Sequence, residues 1–156
     1  MPTLTAKYVD AGSRTRFYRI DKARGFKEFN TWADAQYAHE AQSRCSSLDL
    51  APAVYSDIGR VTIGGKLSGW GYITEIAELI NPECSGNCGC ELCEEAEDKW
   101  YADIVHVCNT MYDVLGLCME DNHSGNFGLI KRYGETHLVC IDFGIESVTT
   151  EEEEYA

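Results

Sequence analysis

Two carboxylates and one amide near the C-terminal end of the chain have the types and the spacing of a metal and phosphate site. Asp121 and Asn126 lie on a loop before a predicted hairpin, and Asp142 follows the second strand of that hairpin, within Asp-Phe-Gly at 142–144. Because a hairpin brings its exit back beside its entrance, the three side chains are predicted to converge. Oxygen donors with a partly open coordination sphere suit Mg²⁺. The alternative interpretation is that Asp, Asn and Gly only mark turns here.

The elements around this loop are predicted from hydrophobic spacing. Strands are expected over 127–131 and 137–141, joined by a turn at 132–135. A long helix is expected from about Glu94 to Leu115, ended by Gly116. The apolar residues that define it recur at helical spacing: Trp100, Ile104, Cys108, Met111 and Leu115.

The N-terminal half is predicted to be mainly β-structure with one helix. A hairpin is expected over 6–20, and a helix is expected from a cap at Asn30 or Thr31 to about Ser46. Two further strands are expected over 53–63 and 70–76. The predicted buried stripe of the helix consists of Ala33, Tyr37, Ala41 and Cys45. The fold class is therefore α+β: a mainly antiparallel sheet plus one helix, then a helix, a catalytic-type loop and a hairpin, with a small Cys-rich insert.

Four of the eight cysteines lie within ten residues: Cys84, Cys88, Cys90 and Cys93. Four thiolates form the closed tetrahedral set that is typical of structural zinc, and such a site orders a loop with little apolar content of its own. The spacing matches no common zinc finger or ribbon. Two other states remain open, reduced thiols and two disulfides.

The charge of the chain argues against direct binding of a nucleic-acid backbone, which needs clustered cations. The chain has 13 Lys and Arg against 26 Asp and Glu, giving a net charge of −13. The acidic residues concentrate in two segments, 91–98 and 151–154. These segments are interpreted as a solvated face and a tail, or as a surface that binds a basic protein partner as a nucleic-acid mimic would. No apolar run is long enough to span a bilayer and no leader sequence is recognised, so a cytoplasmic location is expected.

On Asp121-x-x-x-x-Asn126 and Asp-Phe-Gly at 142–144, the chain resembles the protein-kinase-like fold. It is similar to small-molecule and atypical kinases, and to short phage and bacterial proteins that stop soon after Asp-Phe-Gly. The resemblance covers about 14–147. It implies that Asp121 is the catalytic residue facing the acceptor hydroxyl, and that Asn126 and Asp142 bind the magnesium of Mg·ATP.

The same resemblance implies further nucleotide-binding residues. Arg19, with Lys22 nearby, stands where a phosphate-positioning Lys is expected, and Glu40 lies on the helix whose Glu pairs with that Lys. His123 occupies a loop position from which a side chain could contact phosphate, and an imidazole hydrogen-bonded to the backbone is the equal alternative. Segment 71–75 resembles the hinge strand that binds the adenine edge through its backbone.

The chain also departs from the family pattern. There is no Gly-rich phosphate-covering loop, Met119 replaces the usual His, and little sequence follows Gly144. We therefore expect a single, C-terminally truncated domain over 1–156. Its predicted parts are an N-lobe-like 1–80, a Cys-rich zinc-binding loop 81–95, a reduced C-lobe-like part 96–147 and an acidic tail 148–156.

Two functions are compatible with these features. The first is a kinase-like protein that binds Mg·ATP, with phosphotransfer to an unidentified acceptor if it is active. The second is an inactive kinase-like scaffold that binds or inhibits a partner with a basic surface, for example a phage-encoded inhibitor in the host cytoplasm. The complete set of three metal-binding positions favours the first, because a pure scaffold has no physical need for them.

Overall fold

The computed structural model describes residues 3–4, 7–11, 15–80, 91–120, 124–144 and 148–150. This part of the chain contains three α-helices: α1 (Trp32–Ser46), α2 (Glu91–Lys99) and α3 (Tyr101–Leu115). It contains twelve strands: β1 (Thr3–Leu4), β2 (Lys7–Ala11), β3 (Thr15–Arg19), β4 (Arg24–Phe29), β5 (Thr62–Ile63), β6 (Lys66–Leu67), β7 (Trp70–Glu75), β8 (Glu78–Leu79), β9 (Leu117–Met119), β10 (Phe127–Arg132), β11 (Glu135–Cys140) and β12 (Val148–Thr150). The predicted mixture of mainly antiparallel sheets and helices is confirmed.

The largest sheet has the strand order β2-β3-β4-β7, and every neighbouring pair is antiparallel. The predicted pairing of β2 with β3 is confirmed, but β4 was not predicted. β4 lies between β3 and β7, and Gly25, Phe26, Glu28 and Phe29 are all buried. A side chain at Gly25 would collide with the half-buried Phe17 ring unless that ring moved, which favours glycine at this strand position.

Helix α1 begins and ends close to the predicted residues. Thr31 is the N-cap, and its hydroxyl accepts a hydrogen bond of 3.1 Å from the Asp34 amide. The predicted buried stripe is only partly correct, because Ala33 is exposed and Tyr37 is half-buried. The residues that α1 buries are Ala35, Ala38, Ala41, Gln42 and Cys45. The buried face therefore includes one polar side chain, that of Gln42.

The predicted long helix is divided in two. α2 ends at Lys99 and α3 begins at Tyr101, with Trp100 between them at φ −103° and ψ 11°. Trp100 packs against the core, so the apolar spacing continues across the break and the sequence pattern does not reveal it. α3 ends as predicted at Gly116, which adopts the left-handed conformation at φ 66°.

The core lies between α1, α3 and the hairpin of β10 and β11. Its buried residues include Tyr72, Met111, Phe127, Cys140 and Phe143. β10 pairs with β11 in the predicted antiparallel hairpin, and also with β8. Within the described ranges, no helix has the length and apolar character needed to cross a membrane.

Candidate functional site

The β10–β11 hairpin places Asn126 beside the segment that contains Asp142. Phe127 is opposite Cys140 in the ladder, and the Ile141 amide donates a 2.8 Å hydrogen bond to the Asn126 carbonyl. Asn126 is 2% exposed. The predicted proximity of the hairpin's entrance and exit is therefore confirmed. Asp121 and His123 lie outside the described residues.

The segment 142–144 is held in place by the two residues that follow Asp142. Asp142 Oδ1 accepts a 3.0 Å hydrogen bond from the Gly144 amide, which closes a local turn. The Phe143 side chain is 1% exposed and packs in the core. The Asp142 residue itself is half-buried. The buried Phe143 ring and the local turn together fix the position of the partly accessible Asp142 carboxylate.

A lysine that was not among the predicted site residues is fixed against this segment. Lys27 is on β4, and its Nζ donates to the Ile141 carbonyl at 2.8 Å and to Gln42 Oε1 at 2.9 Å. The same Nζ lies 5.6 Å from the centre of the Phe143 ring and 6.0 Å from that of Tyr72. Lys27 as a residue is half-buried, and its ammonium group lies among these two rings, the Ile141 carbonyl and the Gln42 amide.

The environment of Lys27 makes its charge costly. Burial lowers the pKa of Lys27 from its usual 10.5 to about 8, although the nearby Asp142 and Cys140 act in the opposite direction. Burial also raises the pKa of Tyr72 well above its usual value, and Asp142 adds to that effect. The Tyr72 hydroxyl therefore remains neutral and available as a hydrogen-bond donor.

Gln42 is the centre of a buried polar network that orients Lys27. Its Oε1 accepts from the Tyr72 hydroxyl at 2.8 Å as well as from Lys27. Its Nε2 donates to Thr74 Oγ1 at 2.7 Å and to the Pro52 carbonyl at 2.9 Å. Both ends of the buried amide are thus hydrogen-bonded, which fixes which atom faces the ammonium group.

The structure does not bring the predicted cationic and helical residues to Asp142. Arg19 and Lys22 are exposed near the end of β3, and Glu40 is exposed on α1. A nucleotide-binding role for these three residues, and for His123, stays a prediction. The two residues that were missed are recognised by their buried surroundings in the structure, which the sequence does not show. Lys27 interrupts a strand with buried neighbours, and Gln42 is the polar residue on the buried face of α1.

The hinge-like segment 71–75 is already hydrogen-bonded on both sides. One side pairs with β4, and on the other the Tyr55 amide donates to the Ile73 carbonyl at 2.8 Å. The Glu75 amide donates to the Ala53 carbonyl at 2.9 Å. The expectation that this backbone is open to an adenine edge is therefore wrong. The chain beyond it, 76–80, crosses to the hairpin, where β8 pairs with β10.

The Cys-rich segment is largely outside the described residues, which include Cys93 but not Cys84, Cys88 or Cys90. Cys93 is 2% exposed on α2. Within the described ranges, no three His, Cys, Asp or Glu side chains are grouped closely enough to hold a metal ion.

An open groove of about 530 Å³ lies away from Lys27 and Asp142. It runs between the outer side of α1 and segment 57–58, and Trp32, His39, Glu40 and Arg44 are among its lining residues. Its position shows that size alone does not identify the chemical site here. Lys27 contacts the carbonyl immediately before Asp142, and the Asn126 backbone pairs with the same segment, so the candidate site is placed there and not in the groove.

Comparison with known proteins adds little to this geometry. No family model matches the chain, and no curated protein matches it. Among solved structures, the chain is similar to the streptomycin–ATP–APH(2″)-IIa ternary complex. The TM-score is 0.35 at 13% identity, over 98% of this chain and 70% of that one. At this TM-score the likeness supports no inference about activity.

Proposed function

We propose that this protein is a kinase-like protein that binds Mg·ATP through Lys27, Asn126 and Asp142. The observation that carries the proposal is the buried ammonium group of Lys27, fixed against the Ile141 carbonyl immediately before Asp142. The described hydrogen bonds use two of its three N–H bonds, to Ile141 and Gln42. A phosphate oxygen is a suitable acceptor for the third.

The cost of burying this charge supports a functional role. An ammonium group loses much solvation free energy when it moves from water into an aromatic cage, and a methionine or leucine in its place would not. Residues that cost stability in this way are expected at functional sites. A phosphate beside Lys27 would compensate the charge and raise the pKa of the lysine again.

The donor set also fits a magnesium ion. The amide oxygen of Asn126 and the carboxylate of Asp142 are the hard donors that Mg²⁺ prefers, and they belong to backbone segments joined by a hydrogen bond. Bound magnesium would neutralise charge on the nucleotide phosphates. Asp121, by resemblance to kinases, would orient an acceptor hydroxyl, which would make the protein a phosphotransferase with an unidentified acceptor. Arg19, Lys22, Glu40 and His123 remain candidates for contacts to the nucleotide.

One observation favours the alternative, an inactive kinase-like scaffold. The partner of Lys27 on α1 is the neutral Gln42. In the kinase pattern a Glu occupies that role, and a neutral amide attracts the lysine less strongly than a carboxylate does. A scaffold of this kind would still bind nucleotide but would transfer phosphate slowly or not at all.

Calorimetric titration with Mg·ATP tests the binding proposal. The wild type should bind, and Lys27→Met should weaken binding by at least about tenfold because a charged phosphate contact is lost. Lys66→Met, which removes an exposed lysine on β6, is the matched control and should change affinity less than about twofold. Arg19→Met and Lys22→Met, measured in parallel, test the two cationic positions predicted from the sequence. An affinity unchanged in Lys27→Met would overturn the proposed site.

We also infer that Cys84, Cys88, Cys90 and Cys93 bind one structural zinc ion. The compact spacing of the four residues and the burial of Cys93 support this inference. Elemental analysis should give one zinc per chain in the wild type and a loss of zinc in Cys88→Ser. Mass spectrometry after alkylation separates the alternatives, since free thiols of the unfolded, chelator-treated chain are modified without a reductant and disulfides are not. A single-domain organisation and a cytoplasmic location are part of the same proposal.

A further inference from the structure

Helix α3 exposes an apolar stripe in addition to the face that it buries in the core. Its buried residues are Ile104, Val107 and Met111. The α3 stripe, defined here as Tyr101, Val105, Cys108 and Tyr112, lies next to that face. Tyr101 is 67% exposed, Tyr112 41% and Val105 37%, while Cys108 is half-buried at the border with the core.

The spacing of the α3 stripe indicates the shape of its partner. The four residues follow one another at i, i+4, i+7 and i+11, which places them on one narrow line along the helix. This is the alternation of four and three residues that forms the seam between two packed helices. Three large apolar side chains on one line of an exposed helix are more than the scattered surface apolar residues of a monomer.

The charges around the α3 stripe indicate the sign of the partner. α3 contains no Lys or Arg, and α2 contains only Lys99. Five carboxylates lie on α2, which ends just before the stripe begins: Glu91, Glu94, Glu95, Glu97 and Asp98. The two carboxylates of α3, Asp103 and Asp113, lie roughly 170° and 110° around the helix from the stripe and do not border it. A segment rich in Lys and Arg would be attracted to this surface, and an acidic one would be repelled. A second copy of this chain, with a net charge of −13, is a poor occupant for the same reason.

We propose that the α3 stripe binds a basic amphipathic helix of a partner protein. The apolar face of that helix would cover Tyr101, Val105 and Tyr112, and its Lys and Arg residues would face the carboxylates of α2. The surface is formed by residues outside the Lys27 and Asp142 site, so the inference does not depend on nucleotide binding.

Two synthetic peptides of about 18 residues, long enough for several helical turns, provide the test. Both carry Leu at i, i+4, i+7 and i+11; the remaining positions are mainly Lys in one peptide and mainly Glu in the other. Binding to the isotope-labelled full chain is followed by NMR in reducing buffer. The Lys peptide should bind and perturb the amides of α3 most strongly, its affinity should fall with added salt, and the Glu peptide should not bind.

Variants distinguish binding through the α3 stripe from general attraction between charges. Tyr101→Ser combined with Tyr112→Ser should lower the affinity for the Lys peptide by at least about tenfold, because two aromatic contacts that are buried in the complex are lost. Tyr133→Ser, at a tyrosine that is 90% exposed on the β10–β11 turn, is the control and should change affinity less than about twofold. If the double variant does not fold, Tyr101→Lys alone serves, since this residue begins α3 and is the most exposed of the stripe.

Two outcomes would overturn the proposal. Equal affinity of the Lys peptide for the wild type and the double variant would show that attraction between charges alone accounts for the binding. Sedimentation showing a wild-type dimer that Tyr101→Lys dissociates would assign the stripe to a second copy of the chain instead.

Discussion

Replacing Lys27 by methionine should change how the stability of the protein depends on pH. The pKa of Lys27 is lowered from 10.5 to about 8 by burial. Below about pH 8 the ammonium group is charged in both the folded and the unfolded chain, and its burial costs about 3 kcal/mol. Between about pH 8 and 10.5 the unfolded chain keeps this proton while the folded chain loses it. The free energy of unfolding of the wild type should therefore rise over this range.

Replacing Lys27 by methionine removes both the free-energy cost of burying the charge and the pH dependence of that cost. Methionine has a similar length and fits between the Tyr72 and Phe143 rings, which favours the variant at neutral pH. The Ile141 carbonyl loses its donor, however, which costs about 1–2 kcal/mol, while Gln42 Oε1 keeps its bond from Tyr72. The first effect is larger than the second, so at about pH 7 the variant should be more stable than the wild type by about 1–2 kcal/mol.

Urea unfolding in reducing buffer, from about pH 7 to 10.5, measures the difference. The wild type should gain about 3 kcal/mol relative to Lys27→Met over this range. Other groups titrate in both proteins and cancel in the comparison. Lys66→Met should stay parallel to the wild type throughout. Parallel curves for Lys27→Met and the wild type would refute the buried ammonium group, and with it the physical argument for the site.

Three other predictions concern the site and the elements around it. The affinity for Mg·ATP should fall as pH rises above about 8, by up to about tenfold per pH unit, because Lys27 loses the charge that attracts phosphate; calorimetry in Lys27→Met should show no such fall. Arg132→Met should cost about 1–2 kcal/mol in urea unfolding against a Lys131→Met control, because Arg132 donates to both Glu75 carboxylate oxygens across β10 and β7. Thr31→Ala should cost about 1 kcal/mol through the lost N-cap of α1, and Thr31→Ser, which keeps the hydroxyl, should restore most of it.

The pH dependence of the Arg132 contribution has a definite sign. Burial raises the pKa of Glu75, but hydrogen bonds from Arg132 and the Ala53 amide lower it by more, so the pKa is below its usual 4.5. The stabilisation by this carboxylate is therefore present above about pH 4.5 and is lost as the pH falls further. An Arg132→Met penalty that persisted unchanged in acid would contradict this assignment.

The sequence predicted the hairpin at the candidate site correctly because its signals are local. Alternating apolar residues and a Gly-containing turn define β10 and β11, and hairpin geometry then requires Asn126 to lie near Asp142. Gly116 likewise ends α3 through its left-handed backbone conformation. Features of this kind depend on neighbours along the chain and not on the rest of the fold.

Lys27 could not be identified in the same way, because β4, the strand that carries it, is defined by tertiary contacts. β4 buries residues on both of its faces, since Phe26 and Phe29 lie on opposite faces of the strand and both are buried, so its apolar residues do not alternate with polar ones. Gly25, whose place beside the Phe17 ring favours a small residue, lowers the strand propensity further. Without β4, the candidates for a phosphate-positioning cation were Arg19 and Lys22, and Lys27 was not considered. Gln42 was missed because the apolar stripe of α1 was placed on Ala33 and Tyr37.

Paramagnetic NMR with Mn·ATP is the most direct test of the central claim, that Lys27, Asn126 and Asp142 form one metal and nucleotide site. Manganese replaces magnesium on oxygen ligands and broadens the amide signals closest to it. The account predicts selective broadening at 126–128 and 141–144 that needs ATP and is lost in Lys27→Met. Broadening confined to the acidic helices α2 and α3, or equal with and without ATP, would show only general attraction of cations and would contradict the proposed site.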